Sequence, residues 1–232
     1  MAELLQNATF FPPVETALRE PNGLLAMGGD LSVERLLDAY RHGIFPWFNP
    51  GEPILWWSPD PRMVLVPDEV SVTRSLAKRI RNGGFEVRAD TAFADVMRAC
   101  AEPREGAGGT WISPAMRAAY TRLFDAGYAH SVETWRNGAL VGGLYGVAIG
   151  RMFYGESMFS REPDASKVAL VQLARQLQRW GFGLIDCQME TAHLASMGAR
   201  TVPRAAFTAR LAELVNLPHL PGPWIFDPET RN

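Results

Sequence analysis

Residues 130–159 read "HSVETWRNGALVGGLYGVAIGRMFYGESMF", and no other stretch limits the fold as tightly. Asn137-Gly138 is a hairpin signal, because both central positions of the favoured two-residue turn need positive φ. Gly150-Arg151 marks a second, weaker turn. The runs between them predict a three-stranded antiparallel meander. A helix then starts at Asp164 or Ser166 and runs to about Trp180. Its apolar positions are Val168, Leu170, Val171, Leu173, Ala174 and Leu177, and Gly181 and Gly183 end it. "FGLIDCQ" is the next strand, and a last helix covers roughly Arg204 to Val215.

The chain ahead of the meander is built differently. "EPNGLLAMGGDLS" is turn-rich, and Ser32 caps a helix through about Gly43 with Leu36, Leu37 and Tyr40 on its apolar side. "GIFPWFNPGEPILWWSPDPR" then sets flat rings into rigid proline loops. It reads equally as a satellite core or as the stacking wall of a ligand cleft. "MVLVPDE" reads as a strand leading out. The expected division is a small N-terminal domain over residues 1–62 and a larger domain over 63–232. From Ser71 to Asn82, Val72, Leu76 and Ile80 form one helical stripe, with Arg74, Lys78, Arg79 and Arg81 away from it. This basic face is a solvated surface or a phosphate-binding one. "FEVRA" alternates as a strand, a helix covers Ala92 to Cys100, and a Gly-rich loop follows. Ser113 and Pro114 open another helix, buried along Met116, Ala119, Leu123 and Phe124 with Tyr120 beside them.

Bulk properties exclude several classes. Of the 232 residues, 47% are apolar and 21% charged, which argues against general disorder. No run approaches the ~18 apolar residues of a membrane span, and the first residues show no secretory signal. Two cysteines, Cys100 and Cys187, suit a reducing cytoplasm. A net charge of −2 does not announce a nucleic-acid partner, but leaves room for a local basic patch. The absence of an exposed heptad or symmetric patch makes a monomer the expectation.

The chemistry-bearing residues cluster near the end. In "LIDCQ", alternation puts Asp186 and Gln188 on one face and Cys187 on the other. That argues against a Cys–Asp nucleophile and makes Cys187 a small buried hydrophobe. The acid–amide pair can orient a group, hold a water or take a proton, or it is a polar strand end capped by backbone. The histidines His42, His130, His193 and His219 are scattered, and no metal-ligand spacing occurs, so no metal is expected. Glu156 sits in an apolar strand, where a lone carboxylate is costly without a cationic partner. That partner is internal, Arg151 or Lys167, or it is a substrate. Glu156 and Asp186 together would line one acidic cleft.

Three antiparallel strands, a helix and a further strand is the order of the GNAT-like acyltransferase fold, within an α+β class, although strand order alone fits other mixed folds. The helix after the hairpins opens "SREPDASK", without the glycines that cradle a CoA pyrophosphate. Three readings stand at this level: an acyltransferase with another donor, a CoA-dependent N-acyltransferase, and a non-catalytic RNA-binding protein. Seven segments, "REPNGLLAMGGDL", "GIFPWFNPGEPILWWSPDPR", "GTWIS", "HSVETWRNGALVGGLYGV", "YGESMFSREPDASKVAL", "LIDCQ" and "HLASMGA", resemble the leucyl/phenylalanyl-tRNA–protein transferase family over nearly the whole chain. Thr191 and Leu144 depart from the family pattern, where Asn and Met also occur.

The resemblance implies a small N-terminal domain followed by a GNAT-like domain, with no cofactor. It implies transfer of Leu or Phe, and less well Met, from aminoacyl-tRNA to the N-terminal amine of proteins beginning with Arg or Lys. The product is marked for N-end rule degradation. It assigns Asp186 and Gln188 to the catalytic relay and Glu156 to recognition near the reacting ends. Leu144, Phe153, Met158, Leu173 and Leu177 would line the apolar pocket. Trp47, Trp111 and Tyr120 would stack on the terminal adenosine, and Arg74, Lys78, Arg79 and Arg81 would hold acceptor-stem phosphates.

Overall fold

The computed structural model describes residues 3–5, 10–102 and 110–227; most of the Gly-rich loop expected after Cys100 lies outside them. Strands β1 (Glu3–Leu5), β2 (Leu24–Gly28), β3 (Phe45–Pro46) and β4 (Leu55–Trp57) make a small sheet in the order β1-β2-β4-β3. Helix α1 (Val33–Arg41) begins where Ser32 Oγ accepts the Arg35 N–H. Positive φ at Gly43 then turns the chain from α1 into β3. A Cβ on Gly43 would come within 2.8 Å of the Phe207 ring, so the turn needs glycine for space as well as for φ.

The larger sheet has seven strands: β5 (Arg62–Leu65), β6 (Glu86–Ala89), β7 (Ala129–Arg136), β8 (Ala139–Ile149), β9 (Met152–Ser160), β10 (Leu184–Gln188) and β11 (Arg200–Val202). Their order is β11-β5-β10-β9-β8-β7-β6. The meander β7-β8-β9 is antiparallel, and Asn137 and Gly138 both take positive φ in the first hairpin. Between β9 and β10 runs α5 (Ala165–Arg179), so these two strands are parallel, as a helical crossover requires. "MVLVPDE" is a shorter strand than its composition suggests, because Pro67–Glu69 turns into a 3-10 helix.

Two apolar layers sandwich the large sheet. One holds α5 and the stripe of α2 (Arg74–Asn82) against Leu144, Phe153 and Ile185. The other packs α1, α3 (Phe93–Cys100), α4 (Pro114–Asp125) and α7 (Arg204–Leu214) around Tyr40, Tyr120, Tyr145 and Tyr154. Capping chemistry sets the local boundaries. Thr73, not Ser71, starts α2 by accepting the Leu76 N–H, and Ser113 starts α4 by accepting the Met116 N–H. A short helix, α6 (Ala192–Ser196), follows β10, and Thr191 caps it.

Candidate active site

Strands β9 and β10 pair only from Leu184↔Met152 to Asp186↔Tyr154. Beyond that point β9 continues to Ser160 against β8, while β10 breaks. A bulge against β5 falls between Asp186 and Gln188, and Gln188 takes φ 63°. The two strands part there and open a cleft of about 500 Å³.

The bulge changes the expected alternation. Cys187 and Gln188 both line the cleft, and Asp186 does not. Asp186 is fully buried and held by Arg62, whose Nε donates to Oδ1 at 2.8 Å and whose Nη2 donates to Oδ2 at 2.6 Å. Oδ1 also accepts the Gln188 N–H at 2.9 Å. The expected acidic cleft of two carboxylates is therefore corrected. Burial without a counter-charge would be prohibitive for Asp186, and Arg62 supplies that charge from β5. Of the two carboxylates, Glu156 is the one that lines the opening.

Glu156 accepts the Tyr40 hydroxyl at 2.7 Å, the Tyr120 hydroxyl at 2.9 Å and the Gln188 Nε2 at 3.2 Å. The two tyrosine hydroxyls are also bonded to each other. Burial pushes the Glu156 carboxyl up to about 7, against the two tyrosine hydrogen bonds, which hold it down. Neither internal cation expected for it takes part. Arg151 donates to the Pro218 carbonyl and Lys167 pairs with Asp164.

Leu144, Phe153, Met158 and Leu173 line the cleft with Leu170 and Ile185, on the side facing α5. Leu177 lies one turn further along α5, in the core, and is no part of the lining. Trp47 and Trp111 stand at the cleft, and Trp47 is 38% exposed. The Trp57 indole donates to the Trp47 carbonyl at 2.7 Å and meets its ring edge-on, which fixes the Trp47 face. Tyr120 is different: its ring is fully buried against Tyr145, so it offers no stacking surface, and its hydroxyl serves Glu156 instead.

The basic helix divides. Arg74, Lys78 and Arg81 are exposed at i, i+4 and i+7 on α2. Arg79 lies over the Phe85 ring and pairs with Glu162 at 3.6 Å, so it belongs to the protein's own packing. Burial raises the Cys187 thiol well above its usual range, which leaves it without thiolate character despite its place in the cleft. Burial also lowers His193. No cluster of metal-ligating side chains occurs among the described residues.

Sequence reasoning did not single out Tyr40 or Arg62 for the site. The signals were there. Tyr40 puts a hydroxyl at the tip of an apolar helix stripe, and Arg62 heads an apolar strand while Asp186 sits in another. Two opposite charges in two buried strands are most cheaply kept by pairing.

An antiparallel meander, a crossover helix and a parallel strand that splays from its neighbour give the larger part of this chain a GNAT-like fold, preceded by a small N-terminal module. Residues 64–212 match the family model for leucyl/phenylalanyl-tRNA protein transferase, and residues 29–60 match that for its N-terminal domain. A leucyl/phenylalanyl-tRNA–protein transferase of Thiobacillus denitrificans is 82% identical, over 98% of this chain and 100% of its own. One of Nitrosomonas europaea is 64% identical, over 98% and 96%. Among solved structures, a GCN5-related N-acetyltransferase from Kribbella flavida is 12% identical over 71% of this chain and 58% of that chain, with a TM-score of 0.37. The chain belongs to the leucyl/phenylalanyl-tRNA–protein transferase family. It is an aminoacyltransferase whose substrates are aminoacyl-tRNA and protein.

Proposed function

We propose that this enzyme moves Leu or Phe, and less well Met, from aminoacyl-tRNA to the N-terminal α-amine of proteins beginning with Arg or Lys. The products would enter N-end rule degradation, and the enzyme would work as a cytoplasmic monomer without a cofactor. The observation that carries this reading is the half-buried Glu156 carboxylate at the head of an apolar cleft, with no Arg or Lys side chain paired to it among the described residues. An anion held by neutral donors is suited to a cationic substrate end. The apolar lining suits an uncharged Leu, Phe or Met side chain. Met158 and the leucines are deformable, which favours these shapes over β-branched ones.

The donor ester is already activated, so the chemistry is aminolysis. The α-amine attacks the ester carbonyl, a C–N bond forms and the ester C–O bond breaks. One proton leaves the nitrogen and one reaches the departing ribose oxygen. A carboxyl near 7 is well matched to an α-amine whose reference value is about 7.7–8.0. Glu156 takes the amine proton, and the Gln188 amide orients the nitrogen. Asp186 acts through Gln188. The indole faces of Trp47 and Trp111 hold the terminal adenosine, and Arg74, Lys78 and Arg81 hold acceptor-stem phosphates. Incubation with labelled Phe-tRNA and peptides beginning with Arg or with Ala tests the reading. Label should appear in the Arg-headed peptide alone; equal labelling of both, or of neither, overturns it.

A further inference from the structure

The Arg62–Asp186 pair lies outside the cleft, yet its bonds end on two segments that form the cleft. Arg62 is fully buried, with its guanidinium 4.8 Å from the Phe45 ring centroid and 4.7 Å from that of Phe207. Two of its donors go to Asp186 and a third, Nη1, goes to the Gly43 carbonyl at 3.0 Å. A packed apolar pair commonly stabilises as well as a buried ion pair does, so stability alone is a weak reason for one here. The geometry supplies a better reason.

On one side, Asp186 Oδ1 holds the Gln188 N–H and so maintains a left-handed conformation that non-glycine residues rarely adopt. Turned that way, the Gln188 side chain reaches Glu156. On the other side, Gly43 leads straight into Phe45, Pro46 and Trp47, which line the cleft. The Tyr154 hydroxyl fixes the preceding carbonyl of Tyr40 at 2.8 Å. We propose that Arg62 is a positioning residue for the transfer reaction: through Asp186 it sets the Gln188 amide against Glu156, and through Gly43 it sets the aromatic wall. It touches neither substrate. This rests on the acyl-transfer reading of the cleft given above.

Arg62→Lys keeps the charge and loses the planar fork that spans both Asp186 oxygens. In labelled Phe transfer from Phe-tRNA to an Arg-headed peptide, kcat should fall by roughly 10- to 100-fold, the scale of a misaligned site. KM for the peptide should stay within about threefold, because no contact to it is removed, while KM for Phe-tRNA should rise as the aromatic wall shifts. The acid limb of the pH profile, set by Glu156 near 7, should stay in place. A merely structural role would lower the thermal midpoint and leave the kcat of the folded fraction unchanged. If Arg62→Lys does not fold, Arg62→Gln keeps one amide donor toward Asp186 and loses the fork and the Gly43 bond, and the same kcat loss is expected. Either folded variant with a wild-type kcat, or with its whole loss in KM, overturns the inference. Wild-type protein run alongside separates the two claims: its failure to label the peptide counts against the proposed function, whereas the variant-to-wild-type ratio bears on Arg62 alone.

Discussion

Tyr40→Phe removes one hydroxyl from Glu156 and leaves the ring that packs on Tyr154. The hydroxyl donates at 2.7 Å to a carboxylate, so it favours the ionised form and holds the Glu156 value down. A hydrogen bond to a charged group contributes ~1.5–3 kcal/mol, and one pKa unit corresponds to about 1.36 kcal/mol. Loss of the bond should therefore raise Glu156 by ~1–2 units from about 7. Below its pKa the carboxyl is protonated and cannot take the amine proton, so the acid limb of the rate moves to higher pH. Wild-type Glu156 is about half ionised at pH 7, and the variant would be ~1–10% ionised. Transfer at pH 7 should drop by roughly 5- to 50-fold and recover to within about twofold of wild type by pH 9.5. The assay is single-turnover transfer of labelled Phe to an Arg-headed peptide from pH 5.5 to 9.5, with an enzyme-free blank for ester hydrolysis. A limb that stays near 7, or a profile lowered by one constant factor at every pH, would refute the tuning of Glu156 by Tyr40.

Three other outcomes follow from the same geometry. Replacing Trp47 or Trp111 by Ala should weaken binding of a CCA-ended acceptor stem by ~1–3 kcal/mol per lost stack, and fluorescence titration measures it. Arg74→Ala with Lys78→Ala should weaken tRNA binding and flatten the plot of log affinity against log salt, whereas Arg79→Ala, whose charge is already paired, should leave the slope unchanged; a steeper loss from Arg79 would contradict the division of that helix. Leu173→Ala, at the cleft wall, should lower stability by ~2–5 kcal/mol in urea melts and shift the ratio of Leu to Phe transfer, while Leu177→Ala, in the core behind it, should lower stability without moving that ratio.

What neighbouring residues decide was legible without the fold. The Asn137-Gly138 turn, the Ser32 and Ser113 caps, and the apolar face of α5 each depend on a few adjacent side chains and on backbone periodicity, so the sequence alone determined the meander, the crossover helix and the strand after it. The partners of the buried charges depend on how distant segments pack, and only the tertiary structure decided them. Tyr40 meets Glu156 across 116 residues and Arg62 meets Asp186 across 124. The bulge that turns Gln188 into the cleft, while Asp186 keeps the opposite face, falls where β10 pairs with β5, which no local pattern in "LIDCQ" records. Tyr120 and Leu177 went astray for the same reason: a stripe or a motif places a residue on a face, but only the neighbours across that face determine whether it meets a ligand or the core.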